Sequence, residues 1–487
     1  MNDQNSKTQL KRQLTPMHVW AIAFGCIIGW GSFVNPGKKF LPNSGVAGTA
    51  IAMVLGALVM IIIACSYAYM IPKYPKAGGE FTFTKACFGK RAAFICGWFL
   101  IAAYLTNVPM NSTAIGLIVD GIDGTADILK FGFNYSIAGF EIYFGEMIFA
   151  TAILILFGIL NILGVKKAGI IQTVLSVLLV VSVFTLAVSA LISSKTSGVN
   201  LAPVWGFDKE AAMAAGATSE NINDFAHGGT LGIVSSVLAT FAIAPWAFVG
   251  FDTIPQAAEE FKFSYKKVIG IMVVAILFGC FVYTANNTVA AATLKNWPDS
   301  VMAGEWVLLV AAERMLGVFG KILVGVAVSC AVLSGIMGFY LASSRLMYSM
   351  AKDGFLPKIF EKVDAKHGTP TNAIIFCMII SLSGPILGRE ALGWFVDMSA
   401  IGASMGFFFT CTSSYVCIKR DKDGSNGLKI LSLIGVVFSI LFMILQLIPI
   451  PGLEGVHFGK ESYIMLAVWV IIGIVFAVFK NKNSIRN

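Results

Sequence analysis

Long apolar runs, separated by short polar and mostly basic segments, recur from one end of the chain to the other. A helix needs about 20 mainly apolar residues to cross a bilayer. Backbone in hydrocarbon must also satisfy its own hydrogen bonds, so runs of this length predict helices rather than short barrel strands. The pattern predicts twelve spans, over 16–41, 45–71, 91–119, 143–164, 167–193, 230–256, 266–292, 321–350, 371–388, 393–418, 428–450 and 461–480. The segment 299–316 is apolar too, but it carries Glu305, Glu313 and Arg314 and predicts a helix lying on the surface.

The polar flanks orient the spans. Of the 35 lysines and arginines, 25 fall in the N-terminus, in 72–91, 165–167, 257–267, 345–366 and 419–429, and in the C-terminus. The other 10 fall in the alternate flanks. Basic residues collect on the cytoplasmic side. An even span count with both ends on the basic side predicts cytoplasmic termini in a multi-pass protein of the cytoplasmic (plasma or inner) membrane. The first 15 residues are polar and lead straight into a long span, so no removable signal peptide is expected.

Composition narrows the class. Of 487 residues, 57% are apolar and 13% charged, and the mean hydropathy is +0.80. Soluble domains carry about 25% charged residues. This rules against a soluble globular protein, a secreted disulfide scaffold, a disordered tail and a nucleic-acid binder. The net charge of +9 is accounted for by the one-sided loops and calls for no anionic partner. All nine cysteines lie in spans or at the basic face without a CxxC pair, and the four histidines are far apart, so no disulfide or metal site is expected. Walker, HExxH and supported GxSxG patterns are missing, which points away from an enzyme. No cofactor is expected.

Two spans are interrupted. The first reads AIAFGCIIGWGSFVNPG, with Gly25, Gly29, Gly31 and Pro36 in one crossing. The sixth reads FAIAPWAFVGFDTIPQAAEE, with Pro245, Gly250 and Pro255. Proline in a helix interior costs about 3 kcal/mol, and glycine about 1 kcal/mol relative to alanine. Transporters place substrates where helices are broken, because free backbone groups can face a ligand there. Five spans separate the two copies, and an odd number inverts the second relative to the first.

IIGWGSF resembles the IGxG element of the amino acid–polyamine–organocation superfamily. YPKAGGEFTFTKACFGK (74–90) is similar to that family's loop after the second span, and WAFVGFDTIPQAAEE (246–260) to its sixth span. RLMYSMAKDGFLPKIFEKVDAKHGTP (345–370) resembles its loop after the eighth. The four strings lie in family order. The resemblance implies an all-α integral membrane fold of twelve transmembrane helices. In this LeuT-like arrangement a 5+5 inverted repeat is followed by two C-terminal helices, with helices 1 and 6 discontinuous. Its parts are a tail over 1–15, repeats over 16–193 and 230–418, two added helices over 428–480, and a tail over 481–487. It implies a secondary active transporter of amino acids, with an amine or polyamine carrier or an exchanger as alternatives. A channel or a non-transporting receptor is the more distant rival. The partners expected are a small amino acid and the lipid bilayer, with the chain a monomer or a homodimer.

A zwitterion needs donors for its carboxylate and acceptors for its ammonium. The outer half of the first span begins near Trp30 with free N–H groups, which favour an anion. Gly29, Trp30, Gly31 and Ser32 are therefore assigned to the carboxylate. Family similarity assigns the ammonium to the carbonyls of Ile27, Trp246 and Val249. It also makes Trp246 a gate and lines the pocket with Ala247, Phe248, Gly250 and Phe339. An acidic substrate would call for a lysine or arginine, which no span interior has. A cationic one would call for a carboxylate, of which the pocket offers only Asp252, off to one side. Neutral substrates are therefore expected, and the bulky Trp30, at a position usually small in the family, favours small ones. Asp252, Ser334 and Asp397 are coupling candidates, since ionisable groups inside spans are costly and usually functional. Asp252 matches an acidic residue tied to proton-linked gating, and Ser334 a position that helps form a sodium site. Asp397 is read equally as an interfacial cap. The fifth span, IQTVLSVLLVV (171–181), lacks the lysine that replaces sodium in some members. The driving ion stays open between H+ and Na+. Arg345 and Asp353 sit on the basic side and are read as an ion pair closing the inner vestibule or, equally, as a purely structural anchor.

Overall fold

The computed structural model describes residues 10–121, 128–137, 140–388, 391–450 and 457–484. Residues 1–9 of the expected first tail and 485–487 of the last lie outside the described residues. The chain is helical almost throughout. α1 (Pro16–Ile27) opens on Thr15, whose hydroxyl oxygen accepts the His18 N–H at 3.3 Å. α2 (Gly31–Asn35) runs through one π turn, Pro36–Phe40, into α3 (Leu41–Lys73). That run bends at Gly45, whose φ of 62° brings it against the Val204 carbonyl, where a Cβ would collide. α4 (Gly79–Gly121) bends at Gly89, φ 79°. The sequence pattern starts this span at 91, but the helix reaches back across the glycine to residue 79.

A small antiparallel pair of strands, β1 (Asn134–Ile137) and β2 (Phe140–Tyr143), leads into α5 (Phe144–Ile162) and α6 (Val165–Ile192). α7 (Lys209–Ala214) lies in the connection to α8 (Gly229–Phe241) and the four-residue α9 (Ala244–Ala247). A 3-10 helix, Phe251–Glu260, follows. α10 (Val268–Thr293) leads to α11 (Trp297–Met302) and α12 (Val307–Leu316). The single surface helix expected over 299–316 is thus two helices, turned at Gly304 with φ 74°. The second buries Val307, Leu308, Leu309, Ala311 and Ala312 while Glu313 reaches Lys321 at 2.8 Å. α13 (Val318–Lys352) is buried along most of its length. α14 (Thr371–Ser381), α15 (Ser383–Leu387), α16 (Ala391–Asp421), α17 (Asn426–Leu447) and α18 (Lys460–Ser484) complete the chain.

Among the described residues, ten helical runs are long and apolar enough to cross a membrane, and Pro16–Ile27 and Thr371–Leu387 are shorter apolar stretches. Their faces are inverted relative to a soluble protein. On α6, Ile170, Val174, Val177, Leu178, Val181 and Val188 are exposed, while Gln172, Ser176 and Ser182 are buried. Only a lipid solvent makes that arrangement favourable, because polar groups then need partners inside the bundle.

The basic flanks meet at one end. Lys11 Nζ donates to the Lys366 carbonyl at 2.9 Å, and Lys85 pairs with Asp353 at 2.6 Å. Lys73 pairs with Asp421 at 2.7 Å and Asp423 at 2.6 Å. Lys73 and Tyr69 hold the Asp423 carboxyl below its ordinary range. At the opposite end Lys195 Nζ donates to the Arg314 carbonyl at 2.6 Å, and the Trp297 indole to the carbonyls of Asn200 and Ala202.

Candidate functional site

α1 stops at Ile27. Glycines 25, 29 and 31 weaken helix here. Ile28 leaves it at φ −91°, ψ 92°, its own N–H closing the last turn on the Phe24 carbonyl at 2.9 Å. The N–H groups of Gly29, Trp30 and Gly31 have no acceptor among the described residues. Ser32 differs from its three neighbours: its N–H and its hydroxyl both turn back to the Gly29 carbonyl, at 3.2 and 3.0 Å. α10 steadies both sides of the break. The Tyr283 hydroxyl donates to the Ile27 carbonyl at 3.3 Å, and Asn286 Nδ2 to the Ser32 carbonyl at 3.0 Å.

α8 ends at Phe241, and Pro245 cannot donate a hydrogen bond back into the preceding turn. After α9 the Val249 N–H donates to the Trp246 carbonyl at 3.2 Å, and the chain turns at Gly250, φ 143°. The carbonyls of Ala247, Phe248 and Val249 accept no hydrogen bond among the described residues. One break therefore carries spare donors and the other spare acceptors.

The two breaks touch. A Cβ on Gly250 would sit 2.6 Å from the Ile27 nitrogen and 2.8 Å from Cys26 Cβ, and a Cβ on Gly31 would run into the Trp246 ring. The Trp30 and Trp246 rings lie 6.2 Å apart at 55°. Asn111 of α4 adds a side chain that sequence reasoning missed. Its Oδ1 is buried without a partner, 3.7 Å from where a Gly29 Cβ would stand. The signal available was a polar cluster around a proline, Asn107, Pro109 and Asn111 with Thr106, Ser112 and Thr113, inside a long apolar span.

Asp252 organises the second break. Its Oδ1 accepts the Gly250 N–H at 2.6 Å, and its Oδ2 lies 3.0 Å from the Tyr104 hydroxyl. That hydroxyl is also 3.2 Å from Glu80 Oε1, which the Tyr67 hydroxyl reaches at 2.8 Å. Gln256 Nε2 donates to Glu80 Oε2 at 2.6 Å. Asp252 and Glu80 are both fully buried. In the sequence Glu80 stands out only as part of the 74–90 loop motif.

A family model described as amino acid permease matches residues 14–477. The chain belongs to the amino acid permease family. Among its relatives, the branched-chain amino acid permease BcaP of Bacillus subtilis is 25% identical over 99% of this chain and 96% of that protein. The human Asc-type amino acid transporter 1 is 27% identical over 77% of this chain and 65% of its own, longer one. The crystal structure of MhsT in complex with L-phenylalanine superposes with a TM-score of 0.60 over 89% of this chain and 98% of that one. At 15% identity that likeness shows a shared fold.

The permease's other candidates are dispersed. Phe339 is buried on α13 with its ring stacked 6.4 Å from Tyr104, which places it beside the carboxyl pair. Ser334 donates to the carbonyls of Gly25 at 3.1 Å and Ala331 at 2.9 Å. Gln172 of α6, also missed in the sequence, donates to the Ala21 carbonyl at 3.2 Å beside Ser176, at 3.0 Å. Asp397 accepts from the Ser462 hydroxyl at 2.6 Å and so ties α16 to α18, away from the breaks. Of the two readings of Arg345 and Asp353, the mutual ion pair does not form. Arg345 is buried against Glu260 at 2.8 Å, and Asp353 holds Lys85. The reason is packing: the 3-10 helix lays Glu260 on the face of α13 that carries Arg345.

Proposed function

We propose that the permease is a secondary active transporter of small neutral amino acids that works by alternating access. In this reading the described helices form twelve crossings, spans 1 and 6 are discontinuous, and the first ten form an inverted 5+5 repeat. Both termini face the cytoplasm. The observation that carries the proposal is the meeting of the two breaks at Gly250–Ile27 and Gly31–Trp246. The carboxylate would lie on the N–H groups of Gly29, Trp30 and Gly31, with the Ser32 hydroxyl alongside. The ammonium would lie on the carbonyls of Ile27 and Val249, with the Trp246 carbonyl, Ala247 and Phe248 around it. The Trp30–Trp246 ring contact limits room for a side chain, which favours glycine or alanine over leucine. All these groups come from one chain, so a monomer suffices and a homodimer would hold two carriers.

Proton linkage fits better than sodium linkage. The α1 carbonyls near Ser334 already receive the Ser334, Ser176 and Gln172 donors. A hard cation favours oxygen ligands that are free and often anionic, and no carboxylate is among these. Asp252, by contrast, is buried within the turn at the second break.

Counterflow in liposomes tests the reading. Labelled alanine is expected to exchange, with glycine and alanine competing better than leucine. Equal or better inhibition by leucine would move the preference to branched chains, the specificity in the Bacillus relative's name. Competition by a diamine would favour an amine carrier. No acceleration by trans substrate would remove the carrier itself.

A further inference from the structure

Tyr104 Oη stands within hydrogen-bonding reach of three oxygens: Glu80 Oε1 at 3.2 Å, Asp252 Oδ2 at 3.0 Å and the Asp252 carbonyl at 3.0 Å. A hydroxyl has one proton to donate. If both carboxyls were ionised, all three oxygens would be acceptors and two of these contacts would be unsatisfied. Neither carboxyl pairs with a lysine or arginine among the described residues. Two uncompensated charges at no exposure are strongly disfavoured. The same amide that donates to Glu80 leaves its other end, Gln256 Oε1, buried without a partner, so the cluster is short of a donor.

We propose that Glu80 and Asp252 share one proton through the Tyr104 hydroxyl, and that Glu80 is the coupling partner of Asp252 in transport. This rests on the proton-linked reading above. With the proton on Asp252 Oδ2, that O–H donates to Tyr104 Oη and the Tyr104 O–H donates to Glu80 Oε1. Glu80 then keeps the charge under three donors, from Tyr67, Tyr104 and Gln256. Transfer breaks the Oδ2–H bond and forms Oη–H as the original Oη–H passes to Oε1, so one proton moves and Tyr104 ends neutral. Asp252 then carries the charge under the Gly250 N–H and Tyr104. Gly250 is where the substrate break turns, so rearrangement there alters the Asp252 end of the relay and leaves the Glu80 end anchored on α3 and α4. Other titratable groups facing the pair are Cys26 of α1 and Cys96 of α4. Arg345 of α13 is committed to Glu260, and α16 contributes the uncharged Thr410 and Phe407.

The test is made on the full chain in liposomes, reading two quantities for each of the wild type, Glu80→Gln and Tyr104→Phe. One is counterflow without a gradient and the other is accumulation driven by an imposed pH gradient. Both variants are expected to keep counterflow and lose gradient-driven accumulation. A Glu80→Gln variant that accumulates substrate with the wild-type pH profile would overturn the proposal. Wild-type counterflow with no response to the gradient would overturn proton coupling while leaving the carrier intact. Should a variant not fold, infrared spectra of the wild type decide. A protonated-carboxyl band at neutral pH that shifts in D2O and is lost in Asp252→Asn is expected, and its absence from the wild type overturns the shared proton.

Discussion

Gly250 and Gly89 both hold positive φ, 143° and 79°, yet their surroundings differ. Nothing lies within 4 Å of a Cβ built on Gly89, whereas on Gly250 it meets the Ile27 nitrogen and the Ala23 carbonyl. Strain from a side chain in a disfavoured backbone region costs about 1–3 kcal/mol. Gly89→Ala should incur that strain alone, lowering the melting temperature while counterflow persists. Gly250→Ala adds a backbone collision at the contact between the two breaks, so it should lose counterflow as well as stability. Equal transport by the two variants would show that the Gly250–Ile27 contact does not matter to the site. The reason that contact was partly legible in sequence is chemical: Gly and Pro are the residues that release backbone groups, and they crowd at these two places. The side chains that surround the breaks were less legible. Asn111, Gln172 and Glu80 each sit in a run whose pattern is satisfied by helix alone, and only packing reveals what they face.

At the scale of elements, the 3-10 helix Phe251–Glu260 links the second break to the basic end. It starts beside Asp252 and finishes at Glu260, whose carboxylate holds buried Arg345. Its last carbonyl also accepts the N–H groups of Gln13 and Leu14, both at 2.9 Å, so the chain ahead of α1 is stitched to it. Removing one partner of a buried ion pair costs about 3–5 kcal/mol, because the other charge stays buried. A partly exposed pair such as Lys85–Asp353 is worth about 0–1 kcal/mol. Glu260→Gln should therefore lower the melting temperature in detergent far more than Asp353→Asn. A reversed order would mean that Arg345 finds water or another partner. Sequence pointed to Arg345 and Asp353 together because they share one basic loop region. The true partner lies 85 residues away, at a distance only the tertiary fold can close.

For the whole molecule, the lipid-facing stripes follow from keeping unpaired backbone and charge out of hydrocarbon, and the one-sided grouping of basic flanks from the orientation bias of lysine and arginine. Hydropathy therefore makes the succession of long apolar helices readable, while the pairing of 134–137 with 140–143 and the split of 299–316 carry little hydropathic signal. Lys11 and Lys366 touch at one end, and Lys195 and Arg314 at the other. If the proposed orientation is right, a membrane-impermeant maleimide should label Lys195→Cys in intact cells and Lys366→Cys only after permeabilisation. The native cysteines are buried or half-buried, which keeps the background low. Labelling of both positions from outside would place an even number of crossings between them. The second repeat would then no longer be inverted, and the two breaks would not present donors and acceptors to one substrate from opposite directions.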